Sequence, residues 1–233
     1  MTREEYINRI FNNYRLVTVL SDKNDCKTMR LRNKGIGKDL VLHSFPNQFL
    51  IYEDLCNIKT PNLPEIYDVI TLDDGQIILE EFIDGMNIAQ VMESGKYRYI
   101  GAKKVLIEVC NALALLHKKG FVHRDIKPEN VVVDKNGRVV LIDFNASRKL
   151  STNSCDTVIM GTVGYASPEQ LGISQSDERT DIYALGVLLN VMITGKHPSE
   201  KVAKGRTGRI VRKCTNVNPK DRYQTVEKFV SAL

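Results

Sequence analysis

The sequence predicts an α+β fold, with a strand-rich first part and a helical second part. Two observations carry this prediction. Tight-turn signals sit between short apolar or alternating runs of strand length, and the apolar spacing switches to a helical period after residue 82. In chain order, residues 14–20 form one strand candidate. Residues 28–32 and 39–43 flank the Gly-containing stretch 34–37 and read as a hairpin. Residues 47–57, after Pro46, hold one short helix. Residues 65–72 and 76–82 flank Asp73-Asp74-Gly75, a second hairpin.

The second part opens at residues 82–85. Val105, Leu106, Val109, Leu113 and Leu116 recur at helical spacing over residues 102–119, and Gly120 is a natural stop. Residues 131–133 and 139–142 form a third hairpin across Asn136-Gly137. The remainder reads as helical. The expected organisation is a single domain over 1–233, with a first lobe at about 14–82, a hinge at about 80–85, a second lobe at about 86–233 and a cleft between them.

Composition narrows the class. The 233 residues are 42% hydrophobic and 26% charged, an ordinary globular balance that excludes disorder. The net charge of +5 is spread along the chain with no basic tract, so no nucleic-acid partner is expected. The five cysteines are far apart and lack a C-x-x-C pair, which argues against a disulfide framework or zinc site and for a reducing, cytoplasmic compartment. Residues 1–12 are charged and lack a signal-peptide core. The longest apolar run, 182–193, is shorter than the roughly 20 residues that span a bilayer, so no membrane span is expected.

The most specific string is His123-Arg124-Asp125-Ile126-Lys127-Pro128-Glu129-Asn130, followed thirteen residues after Asn130 by Asp143. Asp125 falls in a polar loop between a helix and a hairpin. Asn130 and Asp143 enter and leave that hairpin, so they converge at its ends. Two carboxylates, one carboxamide and one lysine there suit phosphates and a divalent metal, and hard oxygen ligands favour magnesium. A salt-bridged loop is the plainer reading of each residue taken singly.

The string resembles the catalytic loop of eukaryotic-type protein kinases, a family also found in bacteria, and Asp143-Phe144-Asn145 resembles its D-F-G motif. Ser167-Pro168-Glu169 resembles A-P-E. Gly161-Thr162 resembles the segment whose Thr bonds the catalytic Asp. Asp181 and Arg222 match the residues that hold the catalytic loop and pair with the A-P-E Glu, here Glu169. The resemblance covers about residues 14–230 and implies a bilobal kinase fold, with a small strand-rich N-lobe and a helical C-lobe. It implies ATP and Mg2+ as cofactors and a protein substrate with a Ser or Thr hydroxyl. Asp125 would orient and deprotonate that hydroxyl, Lys127 would stabilise the transferring phosphoryl, and Asn130 and Asp143 would hold the metal. Leu79 would be the gatekeeper, the backbone of Glu80 and Phe82 would bond adenine, and Leu20, Val41 and Val132 would sandwich the ring.

Several positions depart from the family pattern. Where L-G-x-G-x-x-G belongs, residues 20–26 contain no glycine, and Asp22 and Asp25 should repel a triphosphate unless they point away. Where V-A-I-K belongs, His43 replaces the phosphate-gripping Lys. The position of its helix Glu partner falls on Ile51, with Glu53 on the wrong helical face. Asn145 replaces the last residue of D-F-G, a mild change because Asn tolerates a left-handed backbone. Lys27 is the first candidate to replace the missing cation, Lys23 the second and His43 the third. Two readings follow: an active Ser/Thr kinase with an atypical phosphate grip, or a pseudokinase acting as a binding module. Ser151, Thr152, Ser154 and Thr157 are candidate phosphorylation sites.

Overall fold

The computed structural model describes residues 1–93, 101–150, 162, 164–171 and 175–233. The candidate phosphorylation sites at 151, 152, 154 and 157 lie outside the described residues. The chain divides into two compact units, Met1–Thr60 with Pro64–Asp84, and Pro61–Leu63 with Gly85–Leu233.

The first unit is an antiparallel sheet with two helices. Its strands are β1 (Tyr14–Lys23), β2 (Cys26–Asn33), β3 (Asp39–Phe45), β4 (Ile66–Leu72) and β5 (Gly75–Glu81), in the order β1-β2-β3-β5-β4. On one face Met29, Leu31, Leu40, Leu42, Ile77 and Leu79 form a buried cluster. Helix α1 (Arg3–Ile10) covers that cluster with Tyr6, Ile7 and Ile10. The sequence signal for α1 is a capping box, in which Thr2 accepts from the Glu5 backbone while the Glu5 side chain accepts from the Thr2 backbone. The opposite face carries Val41, His43 and Phe45. There Tyr52 of helix α2 (Leu50–Leu55) stacks on Phe45, with ring centroids 6.1 Å apart.

In the second unit β6 (Gly85–Asn87) pairs with the hairpin of β8 (Val131–Asp134) and β9 (Val139–Leu141). Helix α3 (Ile88–Glu93) follows β6. Helix α4 (Ala102–Lys118) buries all five residues that gave its period. Strand β7 (Phe121–Val122) pairs with β10 (Arg148–Lys149), so the chain entering the catalytic loop lies beside the chain leaving the 143–145 motif. The apolar run 182–193 is part of α5 (Glu178–Thr194), capped at its N-terminus by Asp177. Helix α5 packs on α6 (Gly205–Cys214), and α4 on α7 (Val226–Ala232). Gly186 makes the α5–α6 approach feasible, since a Cβ there would stand 2.3 Å from Cβ of Cys214. Among the described residues no helix is long and apolar enough to cross a membrane.

Candidate active site

The second unit assembles the 123–130 string around one carboxylate. Asp125 Oδ1 accepts from the Thr162 hydroxyl at 2.6 Å. Its Oδ2 accepts from Lys127 Nζ at 2.7 Å and from the Asn130 amide at 2.9 Å. Lys127 Nζ also donates to Thr162 Oγ1 at 2.7 Å. Burial alone would raise the Asp125 carboxyl, but the bonds from Lys127 and Thr162 outweigh it and hold the group below its ordinary value, ionised at neutral pH.

The loop is held from below by Asp181, which is fully buried and accepts the backbone N–H of His123 at 3.0 Å and of Arg124 at 2.9 Å. His117 adds a contact to the same carboxylate at 2.8 Å. Burial opposes the charge on Asp181, yet His117 and the backbone donors keep its carboxyl below the ordinary value. Burial pushes His123 in the direction of the neutral form, and its ring packs edge-on against Phe144.

Asn130 and Asp143 come together through the hairpin, where the Ile142 N–H donates to the Asn130 carbonyl at 2.9 Å. The Asn130 amide nitrogen donates to both the carbonyl and the carboxylate of Asp125, so its side-chain oxygen is left as an acceptor. Asp143 takes a left-handed φ of 67°, and Arg124 one of 70°. Such conformations in non-glycine residues cost energy and concentrate at functional sites. The left-handed residue of the motif is Asp143, and Asn145 is not among the residues with a positive φ. A carboxylate and a carboxamide oxygen are hard donors of the kind that suits magnesium.

Glu169 and Arg222 form a bidentate buried pair, at 2.6 and 2.8 Å, with Thr180 donating to Glu169 at 3.0 Å. Gln170, which sequence reasoning passed over, donates to the Arg124 carbonyl at 2.8 Å and ties this region to the catalytic loop. Val132 is buried in β8.

In the first unit the strand register rearranges the expected nucleotide contacts. Leu79 pairs with Leu42 and joins the cluster under α1, whereas Glu80 pairs with Val41 on the face that carries His43. The gatekeeper position therefore moves from Leu79 to Glu80, because adjacent residues of a strand point to opposite faces. The Glu80 side chain meets His43, with Oε1 2.9 Å from Nε2 and both residues buried. His43 Nδ1 lies 3.0 Å from the Thr28 hydroxyl. The residue replacing the strand Lys thus takes its acid partner from β5 rather than from α2, where Ile51 is buried and Glu53 exposed. Sequence reasoning gave Glu80 a backbone role only. Phe82 lies beneath the Arg30 guanidinium at 3.9 Å, and Leu20 is exposed.

Lys27 is the second correction. It pairs with Ser44 on one side and Asp22 on the other, on the face of Met29 and α1, and its Nζ lies 3.0 Å from the Asp22 carboxylate. It also lines a cavity of about 500 Å³ beneath α1, together with Arg3, Asp22, Asp25 and Ser44. Thr28 and His43 occupy the other face, so Lys27 points away from them. Lys23, opposite Cys26, shares the Thr28 and His43 face by the same alternation. The glycine-free stretch is no open loop either. Asn24 and Asp25, with φ of 51° and 60°, close β1 onto β2 in a tight two-residue turn.

The protein kinase domain family matches residues 47–232. The chain is 31% identical to a probable serine/threonine-protein kinase of Clostridium perfringens, over 77% of this chain and 30% of that protein. It is 28% identical to serine/threonine-protein kinase D of Synechocystis, over 86% of this chain and 44% of that protein. A further match is serine/threonine-protein kinase PrkC of Bacillus subtilis, 33% identical over 61% of this chain and 22% of that protein. The chain thus spans less than half the length of these relatives. With the match running from the segment between β3 and α2 to the last helix, through the loop built on Asp125 and the Glu169–Arg222 pair, this chain belongs to the protein kinase family.

Proposed function

We propose that the chain is a serine/threonine protein kinase that transfers the γ-phosphoryl group of ATP, with Mg2+, to a protein hydroxyl. The observation that carries this reading is the closed hydrogen-bond set of Asp125, Lys127, Asn130 and Thr162, which gathers the acceptor, cation and amide of phosphoryl transfer on one loop. Asp125 orients the incoming hydroxyl and accepts its proton. Its lowered affinity for protons makes orientation the larger part of its role. Lys127, already between Asp125 and Thr162, supplies positive charge to the transferring group. Asp143 and Asn130 would hold magnesium, which supplies charge neutralisation to the phosphates. By the family pattern Val41, Leu20 and Val132 are the adenine-ring positions, and with Glu80 as gatekeeper the backbone that bonds the ring's edge shifts by one residue, from Glu80 and Phe82 to Glu81 and Ile83. Lys23, with His43 beside Thr28, takes the phosphate role assigned at first to Lys27. The cysteines among the described residues are free thiols, which supports a cytoplasmic setting.

The test is incubation with magnesium, a Ser- and Thr-containing acceptor protein, and ATP labelled at the γ-phosphate. Label in phosphoserine or phosphothreonine is the expected result. Label found only as inorganic phosphate, or none released, overturns the reading.

A further inference from the structure

We propose that Arg3 is a positioning residue for nucleotide use, holding the Asp25 carboxylate on the α1 face of the sheet and away from the face that carries Thr28 and His43. This inference rests on the kinase reading, in which the β1–β2 turn is the segment presented to the triphosphate. That turn has lost every glycine and gained Asp22 and Asp25, both of the wrong sign for phosphate. The structure neutralises both. Asp22 is paired with Lys27 at 3.0 Å. Asp25 is taken by Arg3, whose Nη2 donates to its carboxylate at 2.6 Å and whose Nη1 donates to its backbone carbonyl at 3.0 Å.

Arg3 is built into this position from several sides. Nη1 also reaches the Ser44 hydroxyl at 3.3 Å, and the Arg3 backbone N–H donates to Asp74 Oδ1 at 2.7 Å. Nε lies 3.5 Å from the other oxygen of Asp74. Its side chain is only 11% exposed, against 70% for Asp25. Gly75 makes room, since a Cβ there would stand 2.9 Å from the Arg3 side chain and 2.0 Å from the Phe45 carbonyl. An ion pair with so exposed an acid contributes little to stability by itself. Its consequence is direction. Arg3 is fixed by Asp74 and Ser44 before it meets Asp25, so it sets where the Asp25 charge points. Without Arg3, that carboxylate is free to turn toward the bound nucleotide.

The experiment is a double-mutant cycle on transfer kinetics with Arg3→Ala, Asp25→Asn and both together, with thermal melting of each variant as a folding control. Arg3→Ala is expected to raise KM for ATP by about three- to tenfold at low salt, as one uncompensated charge near a multivalent anion would, with kcat within about twofold. Adding Asp25→Asn is expected to return KM to that of Asp25→Asn alone, because the offending charge is gone. A structural role for Arg3 gives no such rescue. An unchanged KM in Arg3→Ala, or a raised KM that Asp25→Asn does not restore, overturns the proposal. If the wild type transfers no phosphate, the kinase reading fails separately, and the same cycle is read from magnesium-ATP affinity by calorimetry with the same expected pattern. A wild type that also binds no magnesium-ATP overturns both.

Discussion

Replacing Asp125 by Ala is expected to lower kcat for phosphoryl transfer by about 10²- to 10⁴-fold, the usual contribution of a positioned acid–base group, while KM for ATP changes little. The reasoning follows the hydrogen bonds. Asp125 is the shared acceptor of Thr162, Lys127 and Asn130, so its removal takes away the group that receives the hydroxyl and also unties the lysine next to it. The backbone of the loop should survive, because Asp181 holds the N–H groups of His123 and Arg124 independently of the Asp125 side chain. Steady-state kinetics with a melting curve checks both halves. Activity within tenfold of wild type would move the proton acceptor elsewhere.

Arg222→Ala carries the largest expected effect on stability, a loss of about 3–5 kcal/mol, because it strands the Glu169 carboxylate in the interior. Arg222 is 2% exposed and Glu169 3%, and the guanidinium also donates to the carbonyls of Asn216, Arg179 and Val217. Burial would raise the Glu169 carboxyl, but the Arg222 bonds prevail and the folded value lies below the ordinary 4.5. A carboxyl depressed on folding adds stability above its unfolded value and loses it as pH falls from there toward the folded value. The gap between wild type and Arg222→Ala should therefore be full at neutral pH and narrow as pH drops below 4.5. Denaturant melts at neutral and acid pH measure it. A gap that is small at neutral pH, or that widens in acid, would contradict the buried-pair account.

What the sequence disclosed, and what it did not, follows the range of the interactions. The three hairpins were legible because turn chemistry and strand alternation are local. The catalytic loop was legible because its residues form one contiguous string. The register of the first unit was not, since a slip of one residue sends a side chain to the other face. That is why Lys27 looked like a phosphate ligand while it faces α1, and why Leu79 was assigned the position that Glu80 occupies. The His43–Glu80 pair joins residues 37 apart in sequence and exists only once β3 and β5 are side by side. Helix α1 could have been read. Thr2 and Glu5 stand at capping-box spacing, ahead of Tyr6, Ile7 and Ile10 on one face.

The central claim is that magnesium-ATP is held through Asp143 and Asn130 with no help from Lys27. The most direct test is titration with magnesium-ATP, followed by thermal shift, on wild type, Asp143→Asn and Lys27→Met. Ligand at a hundredfold excess over Kd stabilises by about 2.7 kcal/mol. The account predicts a saturable, magnesium-dependent shift in wild type and in Lys27→Met, and its loss in Asp143→Asn. No shift in wild type at millimolar nucleotide, or a shift abolished by Lys27→Met and kept by Asp143→Asn, would contradict it.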